Sequence, residues 1–466
     1  MTVGPRHAPA SLLDRRGDED RCDEDFAAHQ NSNAQWRARR TALTVKTSSG
    51  AGTSSMLRWL SRRDQSKGGA AAATAAGGRD PEMGDQDAKM RARIDASWDK
   101  LQNHPDIDER FKRSFMRAYV LAAVFMLDDD HDFTRREQLV EKRGKDILKL
   151  VEFLGKEEPP VISEEALAVA RDDGVSVSTR EIVSQPDGNS IKLSIVEPEA
   201  ERAADRPLPC VVYMHGGGMA SNSAFDPSYQ TIARMLAREG VVVVVPDFRN
   251  CEVPTASNPE VAPFPAGLND CYSALKWVHD NKEDLGIDDR IMVAGESGGG
   301  NLALAIAIKA IREGERDLVQ HGVYSMCPYI AGQWPQDVKN NGILGTSHLD
   351  SENNNIFLYM TPTTSAAMGY NLEAFKAKDP LAWPVFATDE DLAQFPRTVI
   401  QVEEFDPLRD EGILFYRRLA RNGVRATCKQ NMGAIHGSEI MPQAAIEIPL
   451  DTCASIAAMA RSYPLE

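Results

Sequence analysis

The first 87 residues show no sustained apolar periodicity; they are polar, rich in Gly, Ala and Ser, and charged in blocks. Such a segment cannot bury enough surface to offset its ordering entropy, so residues 1–87 are expected to form a disordered extension. The pattern then turns helical over 88–160. MRARIDASWDKL (90–101), DERFKRSFMRAYVLAAVFML (108–127) and REQLVEKRGKDILKLVEFL (136–154) repeat apolar residues at spacings of three and four, before Pro159–Pro160 closes the region. Beyond it the chain alternates. VSVSTREIVS (175–184) and IKLSIVEP (191–198) predict a hairpin around Pro186–Asp187–Gly188–Asn189. Five continuous apolar runs follow: PCVVYM (209–214), VVVVVPDF (241–248), RIMVAG (290–295), GVYSMCPY (322–329) and TVIQVEEF (398–405). Helical stretches separate most of them, at 229–240, 265–286 and 301–314, and another follows at 410–423. Strands with no polar face, alternating with helices, predict an α/β fold with a mostly parallel central sheet and helices on both faces. Over 331–377 the alternation lapses into a polar, Asn-rich stretch that is long for a loop and is expected to be an insertion. The core is then split into 161–330 and 378–466.

Composition narrows the function classes. A formal charge of −16 over 466 residues argues against a nucleic-acid partner, which would need a basic surface. Seven scattered cysteines, an odd number without a C-x-x-C pair, argue against a disulfide framework or a zinc site, and reduced thiols are expected. No run approaches the roughly 18 apolar residues that span a bilayer, so no stable membrane insertion is expected. The N-terminus lacks the apolar core of a secretory signal, and the basic, small-residue-rich stretch 56–80 is internal. A cytoplasmic location is the resulting expectation.

Candidate chemistry concentrates in RIMVAGESGGGNLALAIAIKAI (290–311), a strand, a glycine turn and a helix. A phosphate-binding P-loop needs lysine after its last glycine, and Asn301 stands there instead. A dinucleotide site is matched formally by Gly298-x-Gly300-x-x-Ala303. The next strand, however, ends in Pro328 and Tyr329 and offers no acid for the ribose. Gly295-Glu296-Ser297-Gly298-Gly299 matches G-x-S-x-G, in which glycines flank a serine held in a strained turn.

A serine nucleophile needs an oxyanion hole, a base and an orienting acid. His215-Gly216-Gly217-Gly218, directly after an apolar strand, suits the first, because glycines let backbone N–H groups approach a ligand. His215 itself reads as a structural hydrogen-bonder of that loop. Only His321, His348 and His436 follow the serine; His321 begins a strand and His348 lies in the polar insertion. His436, between Gly433 and Gly437 in a short loop before the last helix, is the expected base. For the acid, TVIQVEEFDPLRDEG offers Glu403, Glu404, Asp406, Asp410 and Glu411. Asp406, just past the strand and before Pro407, is the first choice, with Glu404 as the fallback. Asp410 and Glu411 read as ordinary acids at a helix N-terminus.

With HGGG at 215–218, GESGGGN at 295–301, FDPLRDEG at 405–412 and IHG at 435–437, the chain resembles the hormone-sensitive-lipase family of α/β-hydrolase esterases over roughly residues 90–466. The resemblance implies a triad of Ser297, Asp406 and His436, with oxyanion donors on the backbones of Gly217, Gly218 and Gly298. It also implies a helical cap made from 88–160 and 331–377, a small-molecule ester substrate, no cofactor or metal, and a homodimer in many members. Departures are Glu296 where the family carries Asp, Asp247-Phe248-Arg249-Asn250-Cys251-Glu252 near the pocket floor, and His-Gly-Ser after the base. The expected reaction is hydrolysis of short to medium acyl esters through an acyl-enzyme. Amides, lactones or acetylated amines would be alternative substrates of the same machinery, while a non-catalytic receptor on this fold would typically lack the histidine.

Overall fold

Eight strands form one sheet in the order β1-β2-β4-β3-β5-β6-β7-β8. They are β1 Val175–Val183, β2 Ser190–Pro198, β3 Leu208–Met214, β4 Val242–Pro246, β5 Ile287–Glu296, β6 Val323–Met326, β7 Thr398–Phe405 and β8 Ala426–Ile435. The hairpin β1–β2 and the pair β2–β4 are antiparallel, and every other pairing is parallel. The computed structural model describes residues 95–114, 135–142, 164–202, 206–255, 257–332, 356–358 and 365–462. The expected extension 1–87, His348 and most of the expected insertion 331–377 lie outside the described residues.

The continuous apolar runs have a simple cause. Side chains alternate along a strand, and both faces of this sheet are covered. Cys210, Val212 and Met214 of β3 join one core, while Val211 and Tyr213 join the other; Val242 and Val244 of β4 part in the same way from Val243 and Val245. Helices α1 Pro227–Ala237 and α6 Glu447–Arg461 cover the second face. Helices α2 Ala266–Asp280, α3 Gly298–Arg312 and α5 Arg409–Arg421 cover the first. Between them in sequence, α4 Ser365–Lys376 is broken at Asn371, whose backbone is extended. Helix α3 is buried except at Lys309 and Arg312, which explains its unbroken apolar sequence.

One strand was not anticipated. β8, ATCKQNMGAI, lies at the sheet edge and keeps much of its length partly or fully exposed. Polar side chains are tolerated there, so the strand carries no apolar run. His436 therefore leaves the end of a strand rather than an isolated loop. A third, smaller core joins Leu101, Ile107 and Phe111 to Phe357, Phe405 and Ile435. Among the described residues, no helix is long and apolar enough to cross a membrane.

A buried ion pair fastens the hairpin to this frame. Arg249, after β4, makes two side-chain bonds to Asp270 of α2, at 2.9 and 3.0 Å, and a third to Asp187 in the hairpin turn at 2.7 Å. Asp270 is fully buried and also accepts the Arg249 backbone N–H. Asp270→Ala is expected to cost about 3 kcal/mol, because it leaves a buried guanidinium with Asp187 alone and removes its buried partner. Urea unfolding would read this as a lower midpoint at unchanged slope; an unchanged midpoint would contradict it.

Candidate active site

Ser297, Asp406 and His436 leave the carboxyl ends of β5, β7 and β8. Parallel strands bring these ends to one rim of the sheet although Ser297 and His436 are 139 residues apart. Ser297 Oγ lies 3.0 Å from His436 Nε2, and His436 Nδ1 lies 2.9 Å from Asp406 Oδ2. In the neutral imidazole, a proton on Nδ1 is donated to Asp406 and Nε2 turns a lone pair to the serine hydroxyl. The other Asp406 oxygen accepts the Leu408 N–H at 2.9 Å.

The serine is held in a conformation that costs about 1–3 kcal/mol for a non-glycine residue: φ 57°, ψ −116°. Its N–H donates to Met326 O at 2.9 Å, and its carbonyl accepts from Asn301 at 3.0 Å and Tyr329 at 3.1 Å. Glycines make room for this turn. A Cβ on Gly299 would stand 2.1 Å from Met214 O, and one on Gly295 would stand 2.3 Å from Gly299 O.

The HGGG loop lies against the same turn. Gly217 and Gly218 take φ 98° and 65°, and a Cβ on Gly298 would come within 2.7 Å of Gly218 N. Among the described residues, the N–H groups of Gly217, Gly218 and Gly298 donate to no protein acceptor. Gly298 opens α3, whose N-terminal dipole favours negative charge beside Ser297. His215 stacks on Phe248 with ring centroids 4.1 Å apart, and its Nδ1 lies 2.8 Å from Gly216 O. Burial pushes its pKa down to about 4, so it is neutral.

Glu296 fills the space that Gly216 leaves; a Cβ there would stand 2.2 Å from its Oε1. Burial, then the charge of Glu439, pushes Glu296 up to about 8, against His436, the Gly216 N–H and the Tyr229 hydroxyl, which favour its charged form. The residue thereby couples the end of β5 to the glycine loop. For His436, burial disfavours the cation. The charge and hydrogen bond of Asp406, with Glu439 and Glu296 behind, outweigh it and push the imidazole up to about 9.

The remaining acids part company. Glu404, the fallback, accepts the Gly433 N–H at 2.7 Å, and Asp410 pairs with Arg409 at 2.9 Å. Glu411 corrects the expectation of an ordinary helix-end acid. It is buried, pushed up to about 8 by that burial, and accepts the Ile330 N–H at 2.7 Å. His321 lies against the carbonyls of Met459 and Ala460. No local pattern marked Cys327, yet its sulfur and ligand atoms of Asp406 and His436 lie within 4.8 Å of one another. These are the residues that could gather round a metal, but Asp406 and His436 already engage each other there.

A family model described as alpha/beta hydrolase fold matches residues 211–440. An esterase of Fusarium pseudograminearum is 31% identical over 245 residues, covering 50% of this chain and 66% of that protein. Bovine (Bos taurus) arylacetamide deacetylase is 26% identical over 310 residues, covering 55% and 74%. Among solved structures, esterase Est22 is 41% identical with a TM-score of 0.67, covering 78% of this chain and 100% of its own. Brefeldin A esterase, a bacterial homologue of human hormone-sensitive lipase, is 32% identical with a TM-score of 0.62, covering 76% and 94%. The chain belongs to the α/β-hydrolase-fold esterases related to hormone-sensitive lipase.

Proposed function

We propose that this protein is a serine carboxylesterase, and that Ser297, His436 and Asp406 carry the reaction. The observation that supports this best is the unbroken hydrogen-bonded chain from Ser297 Oγ through the His436 ring to Asp406, at 3.0 and 2.9 Å. His436 Nε2 takes the serine proton as Oγ attacks the ester carbonyl. The new oxyanion is met by the N–H groups of Gly217, Gly218 and Gly298. His436 then protonates the leaving alkoxide, and water attacks the acyl-enzyme with His436 again as base. Asp406 holds the tautomer and stabilises the imidazolium. Mixing enzyme with a p-nitrophenyl ester should release a burst of about one equivalent of p-nitrophenol if deacylation is slower than acylation. Intact-mass and peptide analysis after a quench should place the acyl group on Ser297. An acyl group on another residue would refute the assignment.

Short to medium acyl chains are the proposed substrates, and a p-nitrophenyl series from acetate to palmitate should fall off at the long end. A maximum at palmitate would contradict this. The match to a deacetylase favours also testing acetylated amines, by comparing kcat/KM on matched ester and amide. We assign the N-terminal helical region to a cap. Arg136 supports this, since it bonds to the carbonyls of Cys251 and Gly369 beside the core. A homodimer, also proposed, would show as twice the chain mass in light scattering.

A further inference from the structure

We propose that Glu439 is a positioning residue of this site, and that Cys327, Glu439 and Glu403 act as one buried unit setting the geometry between Ser297 and His436. The proposal rests on the reading of Ser297, His436 and Asp406 given above. Each member of the unit sits on a segment that carries one of those residues. Residues 326–329 grip the serine backbone from both sides, through Met326 O at 2.9 Å and Tyr329 N at 3.1 Å. Within that grip Cys327 has φ 33° and donates its N–H to Gln401 O of β7 at 2.8 Å. Glu439 lies three residues past His436, in the turn Ser438–Ile440, and Glu403 lies three before Asp406. The Cys327 thiol donates to Glu439 Oε1 at 2.9 Å, which ties the serine's support directly to the histidine's turn.

All three side chains are at most 1% exposed, so the unit needs a reason to exist. Two buried carboxyls side by side cannot both ionise. Glu403 Oε1 accepts from Asn431 at 3.0 Å, while the buried Oε2 atoms of Glu403 and Glu439 have no hydrogen-bond partner among the described residues. A proton held between the two acids would satisfy both Oε2 atoms, and burial raises the pKa of each carboxyl. The charged and titratable groups facing Glu439 are Tyr213 from β3, Glu296 from β5, Tyr324 and Cys327 from β6 and its end, Glu403 from β7, and His436. When ionised, Glu439 favours the imidazolium that forms as Ser297 attacks.

The test uses Cys327→Ala, Cys327→Ser, Glu439→Gln, Glu439→Ala and the double variant C327A/E439A in the full chain. Rates on p-nitrophenyl acetate are expressed per Ser297 that reacts with a fluorophosphonate, which excludes misfolded molecules. C327A should lower kcat about tenfold, the order of one hydrogen bond to a charged group, with KM changed less than about threefold. C327S, which keeps a donor, should stay within about twofold of the unaltered protein. E439Q keeps the shape and removes the charge, so the acid limb of kcat/KM should move to lower pH. C327A/E439A should be no slower than E439A alone, because coupled residues lose their contribution once. The proposal is overturned if the two losses multiply, or if C327A and E439Q both keep the original kcat and acid limb. Failure of the unaltered protein to label at Ser297 would sink both this proposal and the esterase reading; normal labelling without coupling would sink this one alone.

Discussion

Ser297→Ala is expected to lower kcat on p-nitrophenyl acetate by about 10⁵-fold or more, the scale seen when the nucleophile of a serine hydrolase is removed. The reason is local. The hydroxyl oxygen is the atom that His436 Nε2 addresses at 3.0 Å, and alanine offers no bond-forming substitute. The backbone should tolerate the change. Alanine keeps the Cβ that already occupies the turn at φ 57°, and the bonds to Met326, Asn301 and Tyr329 use main-chain atoms only. Thermal unfolding of the variant should therefore stay close to that of the unaltered protein while fluorophosphonate labelling disappears. Turnover that survives the substitution would remove Ser297 from the mechanism.

Asp406→Asn is the second large effect, with an expected loss in kcat of about 10⁴-fold. Asparagine nearly matches the carboxylate in shape but can turn an N–H toward His436 Nδ1. That selects the other tautomer and leaves Nε2 protonated against the serine. The pH profile gives an independent reading. The base must be neutral, so kcat/KM rises as pH passes upward through the His436 pKa, which Asp406 holds up at about 9. Removing that charge lets burial dominate, and the acid limb of the residual activity should move to lower pH. Glu404→Gln serves as the control. Its carboxylate is occupied by the Gly433 N–H, so a change of less than about threefold is expected. A limb that stays in place in D406N, or a larger loss in E404Q, would shift the acid's role away from Asp406.

Much of this was legible before any coordinates, for reasons that act over a few residues. Strands buried on both faces must be apolar throughout, so five runs stood out. Glycines at 295, 298 and 299 are demanded by backbone clashes at a single turn, those at 216 and 217 by the close approach of Glu296 and Ser221, and that at 218 by its positive φ. Strand β8 escaped because an edge strand has no need of an apolar pattern. Glu411 was read as an ordinary acid of a helix N-terminus because an acid in a first helical turn looks the same whether it faces water or the Ile330 N–H.

The sequence by itself thus determined the sheet's apolar strands, the glycine turns and the residue types available for nucleophile, base and acid. These follow from side-chain alternation and backbone sterics, which neighbouring residues impose. Tertiary structure decided which acid meets His436 and placed a thiol, Cys327, against the carboxylate of Glu439 112 residues away. It also packed the first residue of α3 against the glycine loop. Those distances are set by strand order and register across β5, β6, β7 and β8. Pairings between segments more than a hundred residues apart leave no local trace in the residues that end up touching.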